Sequence, residues 1–112
     1  MTQKEITIAG KTIHLAYCYA TEIGFHKLTN KSIEKFSSDN PEDAMYLIIA
    51  SMLSWYQSNG EVSPHTDEQL MYGTKPTEII EAVTVIFKLR AEWYNIPIDE
   101  PKDNEEEAPK NP

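Results

Sequence analysis

The sequence predicts an α+β domain that is mostly helical, in which an N-terminal β-hairpin packs on about four helices. Three observations predict this fold: apolar residues alternate near the N-terminus, two long segments show helical apolar spacing, and the C-terminus is acidic without aromatic residues. A chain of 112 residues has the size of one domain with one hydrophobic core. We therefore predict a single globular domain over residues 1–97 and a disordered acidic tail over 98–112.

The predicted hairpin spans residues 4–16. Apolar side chains alternate with polar ones on both arms, at Ile6, Ile8, Ile13 and Leu15, which is the period of a half-buried strand. Gly10 lies between the arms, where a tight turn favours positive φ. Because an isolated hairpin is marginally stable in water, its apolar face is expected to pack on the helices.

Helices are predicted at about 19–29, 41–58, 66–72 and 77–94. In the first, Ala20, Ile23 and Leu28 recur at roughly helical spacing, with Phe25 close by, and Asn30 is a plausible end.

The next two helices have clear start signals. Asn40 before Pro41 is typical of an N-cap followed by the first helical position, and Asn59 with Gly60 is expected to end that helix. Thr66 begins a capping box at the third helix.

Charge and composition exclude several classes of protein. Ten basic and eighteen acidic side chains give a formal charge of −8, which disfavours nucleic-acid binding. No apolar run approaches the roughly 20 residues of a membrane span, and no signal-peptide pattern opens the chain. Cys18 is the one cysteine, so a reducing compartment is expected. The expected location is the cytoplasm.

The two long helices are more apolar than a surface helix requires. Apolar residues cover most of the circumference of the last helix: Ile79, Ile80, Ala82, Val83, Ile86, Phe87, Leu89, Ala91, Trp93 and Tyr94. Helix 41–58 is similar. Either the two helices bury each other, or one face meets a second copy or a partner protein; both accounts can hold together. The candidate protein-binding residues are those of types enriched at interfaces: Tyr46, Trp55, Tyr56, Phe87, Arg90, Trp93 and Tyr94.

No catalytic, cofactor-binding or metal-ligating constellation is found in the sequence. His14, His26 and His65 lie far apart without metal-ligand spacing, and each is expected to be an ordinary surface histidine. Cys18 is expected to be a buried thiol. Arg90 shares a face with apolar residues, so its stem either snorkels or its guanidinium pairs with a carboxylate across an interface. The protein is therefore predicted not to be an enzyme.

The order of features resembles that of the tail assembly chaperones of long-tailed bacteriophages and prophages. The resemblance covers residues 5–95 and depends on layout: a hairpin with a Gly-Lys turn (6–11), an aromatic-flanked helix (17–28), the segment 29–36, a proline-capped apolar helix, a short helix with an acidic start, and a long last helix before an acidic tail. That family has no invariant chemical motif, so no catalytic residue is carried over.

The resemblance implies a non-enzymatic role in virion morphogenesis. Such chaperones coat the long helical tape measure protein, keep it soluble and help to recruit tail tube subunits, so these two proteins are the expected partners. A homo-oligomer is also possible. The alternatives are a different cytoplasmic interaction module, such as an antitoxin, an inhibitor or an acidic mimic, and a small enzyme. A mimic needs its acids on one folded face, whereas half of the net charge here lies in the predicted tail.

Overall fold

The computed structural model describes residues 1–95, and the predicted tail at 98–112 lies outside them. The elements in chain order are strands β1 (Thr2–Ile8) and β2 (Lys11–Tyr17), helix α1 (Tyr19–Thr29), a 3₁₀ turn (Ile33–Lys35), and helices α2 (Pro41–Ser58), α3 (Asp67–Gly73) and α4 (Pro76–Trp93). A two-stranded hairpin followed by four helices confirms the predicted fold class. No helix among residues 1–95 is both long and apolar enough to cross a membrane.

The hairpin is antiparallel and places its apolar residues on one face. Ile6 pairs with Ile13, and both are buried. The two-residue turn has positive φ at Ala9 (50°) and Gly10 (81°), as a type I′ turn requires. This turn matches the right-handed twist of the strands.

Helices α1 and α2 cover the free edge of β2 with hydroxyl groups. The Ala16 N–H donates to Ser51 Oγ at 3.1 Å, and Ser51 Oγ donates to the Ala16 carbonyl at 2.8 Å. Thr21 Oγ1 donates to the same carbonyl, and the His14 N–H donates to the Tyr56 hydroxyl. These bonds satisfy buried backbone groups that an open strand edge would leave unpaired.

Helix α2 is the central helix of the domain. It packs against β2, α1 and α4, while α4 lies along β1. The core joins the inner face of the hairpin to both long helices, with Ile8, Ile13, Leu15, Phe25, Leu47, Ile48, Ile49, Met52 and Ile86 among its fully buried side chains.

The helix ends follow the predicted caps. Asn40 Oδ1 accepts from the N–H groups of Glu42 and Asp43, and the Thr66 side chain closes a capping box at α3. Asn30 follows α1 with φ of 60° in the left-handed region.

The apolar residues that recur at roughly helical spacing in α1 do not form its buried face. Thr21 and Phe25 point into the core, whereas Ala20, Ile23 and Leu28 are exposed. Thr21 is buried because its hydroxyl bonds the Ala16 carbonyl and lies 2.8 Å from Ser54 Oγ. The hydrogen bonds of Thr21 therefore determine which face of α1 is buried, and three apolar residues of the helix are left exposed to solvent.

His65 is buried, so the expectation of a surface histidine was wrong here. Its Nε2 lies 2.9 Å from the Ile8 carbonyl and donates to it, because a carbonyl only accepts. Next to this bond, Glu78 Oε1 accepts from the Ala9 N–H at 3.3 Å, and Lys11 Nζ donates to the Pro64 carbonyl. These contacts hold the hairpin turn against the rest of the domain.

Candidate protein-binding surface

Helix α4 carries a second, partly exposed apolar face besides its buried one. Its inner face buries Ala82, Ile86 and Leu89. On the opposite side lie Ile80, Val83, Phe87 and Ala91, which we call the α4 stripe. Ile80 is 68% exposed, and the other three are partly exposed. When a helix is apolar on two opposite faces and its domain buries only one of them, the other face is left for contact with another molecule.

Three residues of the α4 stripe, Val83, Phe87 and Ala91, form one wall of an open groove. The groove has a volume of about 510 Å³, and its other wall is Phe36, which follows the 3₁₀ turn. The Phe36 ring lies 5.1 Å from the Phe87 ring and 6.2 Å from the buried Phe25 ring. Phe36 thus connects the groove to the core, and the polar atoms of Ser38, Thr84 and Lys88 lie at the rim. An apolar floor with a polar rim is the usual anatomy of a protein-binding surface.

A carboxylate on α1 holds the C-terminal end of α4 in place. Glu22 Oε2 accepts from the Tyr17 hydroxyl at 2.7 Å and from the Tyr94 hydroxyl at 2.6 Å. Arg90 lies between Glu22, at 4.0 Å, and Glu34, at 3.4 Å, and its guanidinium is 5.2 Å from the centre of the Tyr94 ring. Arg90 therefore pairs with carboxylates of its own chain.

This network raises the pKa values of both tyrosines. Burial, with the hydrogen bond to Glu22 as the second cause, raises the pKa of Tyr17. The hydrogen bond to Glu22, with burial as the second cause, raises the pKa of Tyr94 to about 12. In each case a phenolate beside the Glu22 carboxylate is disfavoured.

Glu22→Gln is expected to lower the pKa of Tyr94 towards the ordinary tyrosine value of about 10, because the neighbouring negative charge is removed. An ultraviolet titration of the phenolate band measures this, and the Tyr94→Phe variant identifies the band that belongs to Tyr94. Because the folded pKa of Tyr94 is raised, its contribution to stability is complete below about pH 10. That contribution is lost as the pH rises through about 12. An unchanged titration in the Glu22→Gln variant would contradict the network.

A second aromatic cluster covers the outer face of the hairpin. His14 stacks on Trp55 with ring centres 3.6 Å apart and planes 5° from parallel. Trp55 Nε1 donates to Gln3 Oε1 at 2.6 Å, and Glu5 Oε2 lies 3.0 Å from His14 Nε2. Tyr56 is buried beside them. Trp55 and Tyr56 thus pack against the hairpin of their own chain.

The seven candidate residues therefore lie in several places. Phe87 lines the groove, while Arg90, Trp93 and Tyr94 meet α1, where the Tyr19 ring lies 5.8 Å from that of Trp93. Tyr46 is half-buried against the core. The apolar members of the groove lining that the candidate set lacked are Phe36, Val83 and Ala91. The helical spacing of the last two was the signal that could have found them.

Comparison of the chain with protein-family models, with curated proteins and with solved structures gave no match. Among residues 1–95, no group of three or more histidine, cysteine, aspartate or glutamate side chains is placed to hold a metal ion. The functional argument therefore depends on the geometry of the surface itself.

Proposed function

We propose that this protein is a non-catalytic, protein-binding protein that acts as a phage or prophage tail assembly chaperone in the bacterial cytoplasm. Its client is the tape measure protein, which it coats and keeps soluble while tail tube subunits are recruited. The observation that supports the proposal is the α4 stripe, an apolar helix face that the domain leaves open beside Phe36.

The spacing of the α4 stripe suits a helical client. Its members follow one another at three, four and four positions, so they lie along one line of the helix. From Ile80 to Ala91 this line is about 16 Å long, at 1.5 Å per residue. Side chains at such spacing interdigitate with those of a second helix. A long helical protein with exposed apolar residues offers such a partner helix along much of its length.

The charge of the chain supports the same role. A protein with a formal charge of −8 adds negative charge each time a copy binds, and like-charged complexes resist aggregation. The groove supplies the apolar contact, and the rest of the surface keeps the complex in solution.

Co-expression with the longest coiled-coil protein encoded beside this gene tests the proposal. We expect the long protein to become soluble and to co-purify with several copies of this one, measured by affinity purification and light-scattering mass. The double variant Val83→Asp, Phe87→Asp is expected to reduce co-purification at least about tenfold, which corresponds to about 1.4 kcal/mol of binding free energy, because it places two charges in the apolar contact.

The matched control is Tyr72→Asp, which adds a charge on α3 at a side chain that is 90% exposed and outside the groove. Circular dichroism verifies that each variant is folded. If the double variant co-purifies as well as the control, the client does not bind the α4 stripe. If the wild-type protein stays free while the long protein precipitates, the chaperone proposal is wrong.

A further inference from the structure

The two edges of the hairpin differ in how the helices cover them. On β2, the N–H groups of His14 and Ala16 point away from β1, because they donate to hydroxyl groups of α2. Residues that lie opposite one another in an antiparallel pair either both bond across the pair or both point their N–H and C=O groups outward. The register partners of His14 and Ala16 are Glu5 and Gln3. The backbone groups of Glu5 and Gln3 therefore point outward from β1.

Thr7 continues this row, because outward-pointing backbone groups recur at every second residue of a strand. Gln3, Glu5 and Thr7 are all exposed. Within residues 1–95, no side chain and no backbone group bonds to their outward N–H and C=O groups. We call the outward backbone groups of these residues the β1 edge.

The side chains of the same residues leave the β1 edge uncovered. Glu5 and Thr7 each contact the side chain of their register partner on β2, at 3.0 Å and 3.3 Å. Gln3 Oε1 accepts from Trp55 Nε1, which belongs to the helix that covers β2. These contacts draw the side chains towards β2, so the β1 edge is open to another molecule.

An extended strand is the structure whose donors and acceptors match such a row, because both repeat every two residues. We propose that the β1 edge pairs with the β1 edge of a second copy of this chain, antiparallel and about a two-fold axis. The two hairpins then form one four-stranded sheet, and each copy satisfies the outward backbone groups of the other.

The side chains of β1 favour one register of this pair. A register centred on Glu5 places this carboxylate opposite that of the second copy, and a register centred on Lys4 opposes the two ammonium groups. Like charges directly opposite one another destabilise a sheet. A register centred on Ile6 avoids both, because it places Ile6 opposite Ile6 of the second copy and Glu5 opposite Thr7. A second copy therefore matches the β1 edge in its side chains as well as in its backbone.

The net charge of the chain makes this association weak and dependent on salt. Two copies that each carry a formal charge of −8 repel one another. Salt screens this repulsion, because the screening length falls from about 10 Å at about 0.1 M to about 3 Å at about 1 M. We therefore expect the dimer to become tighter at high salt, whereas an interface held by ion pairs would become weaker.

Light-scattering mass of the full chain over a range of protein concentrations tests the pairing. At high salt we expect the mass to rise with concentration from 12.8 kDa towards twice that value. Thr7→Pro removes an outward donor from each copy, and it is expected to raise the dissociation constant at least about tenfold. The matched control is Thr12→Pro, because Thr12 is the register partner of Thr7 and lies at the opposite edge. This control is expected to leave the dissociation constant unchanged.

Both proline variants are expected to fold, because the lost N–H points away from the neighbouring strand and the ladder between β1 and β2 stays intact. Circular dichroism verifies this. Amide hydrogen exchange of the unmodified chain gives a second readout that needs no variant. The amides of Glu5 and Thr7 are expected to exchange more slowly as the protein concentration rises, while the amide of Thr12 keeps its rate.

A chain that stays monomeric at every concentration and salt would overturn the proposal. So would a dimer that Thr7→Pro leaves intact. Dissociation of the dimer by the double variant Val83→Asp, Phe87→Asp would also overturn it, because that result places the contact at the α4 stripe. The experiment contains no client, so its failure leaves the chaperone proposal unaffected.

Discussion

Replacing Asp43 with alanine is expected to lower the free energy of unfolding by roughly 2 to 3 kcal/mol, because a buried carboxylate with charged and backbone donors is lost. Asp43 is 1% exposed. Its Oδ2 accepts from Lys31 Nζ at 2.6 Å and from the Ser37 N–H at 2.9 Å. This carboxylate therefore ties the segment after α1 to the first turn of α2. Urea denaturation measures the loss.

The neighbouring residue is a matched control for this prediction. Glu42 is exposed in the same first turn of α2, so Glu42→Ala removes the same charge at the same helix end. Its expected cost is about 0.3 to 1 kcal/mol, from the helix dipole alone. Equal losses for the two variants would show that the buried contacts of Asp43 contribute nothing beyond its charge.

The dependence on pH gives a second readout for Asp43. Burial raises its pKa, but the hydrogen bonds from Lys31 and Ser37 lower it by more, so the net shift is downward. A carboxyl with a depressed folded pKa contributes stability above its unfolded pKa, which is about 3.9 for aspartate. That contribution is lost as the pH falls through the folded pKa. The difference in stability between the wild type and Asp43→Ala should therefore be full at pH 6 and decrease below about pH 4.

The hairpin and the helix starts were predictable because local rules decide them. Strand periodicity identified the buried pair Ile6 and Ile13, and the order Asn40-Pro41 identified the cap of α2. The shift of the hairpin to residues 2–17 from the predicted 4–16 lies within the uncertainty of element ends.

The inner face of α1 was not predictable from apolar spacing, because the partners of that face come from other elements. Thr21 is buried since Ala16 and Ser54 offer it hydrogen bonds. The sequence places these partners five residues before and thirty-three residues after it. Arg90 shows the same limit, because its carboxylate partners on α1 and the 3₁₀ turn are fifty or more positions away.

Helix wheels showed an excess of apolar residues on both long helices, but they did not show which helix leaves apolar side chains exposed to solvent. The packing of the two helices in the fold answers this. Helix α2 lies between β2, α1 and α4, so its excess is absorbed by three neighbours. Helix α4 packs on the hairpin and α2 only from its inner side, and the α4 stripe stays open. The structure thus agrees with the first account for α2, while contact of the α4 stripe with a second copy or a partner protein stays a prediction.

Replacing Phe25 with alanine is expected to have the largest effect on stability, about 3 to 5 kcal/mol, since it removes a fully buried aromatic side chain and leaves a cavity. Ile23→Ala, two positions earlier on the exposed side of α1, is the control, with an expected loss of about 0.5 kcal/mol or less. Thermal and urea denaturation of the two variants measures this contrast. A similar loss for both would contradict the observed orientation of α1.

Phe25 also supports the surface on which the proposed function depends. Its ring contacts Phe36, and Phe36 in turn contacts Phe87 across the groove. A cavity beneath Phe36 removes the inner support of that wall, because a void deprives the neighbouring side chains of packing partners. Under conditions where Phe25→Ala is still folded, co-purification of the helical client should therefore fall, although Phe25 itself is inaccessible to any partner. Unchanged client binding would show that Phe36 holds its place without the core.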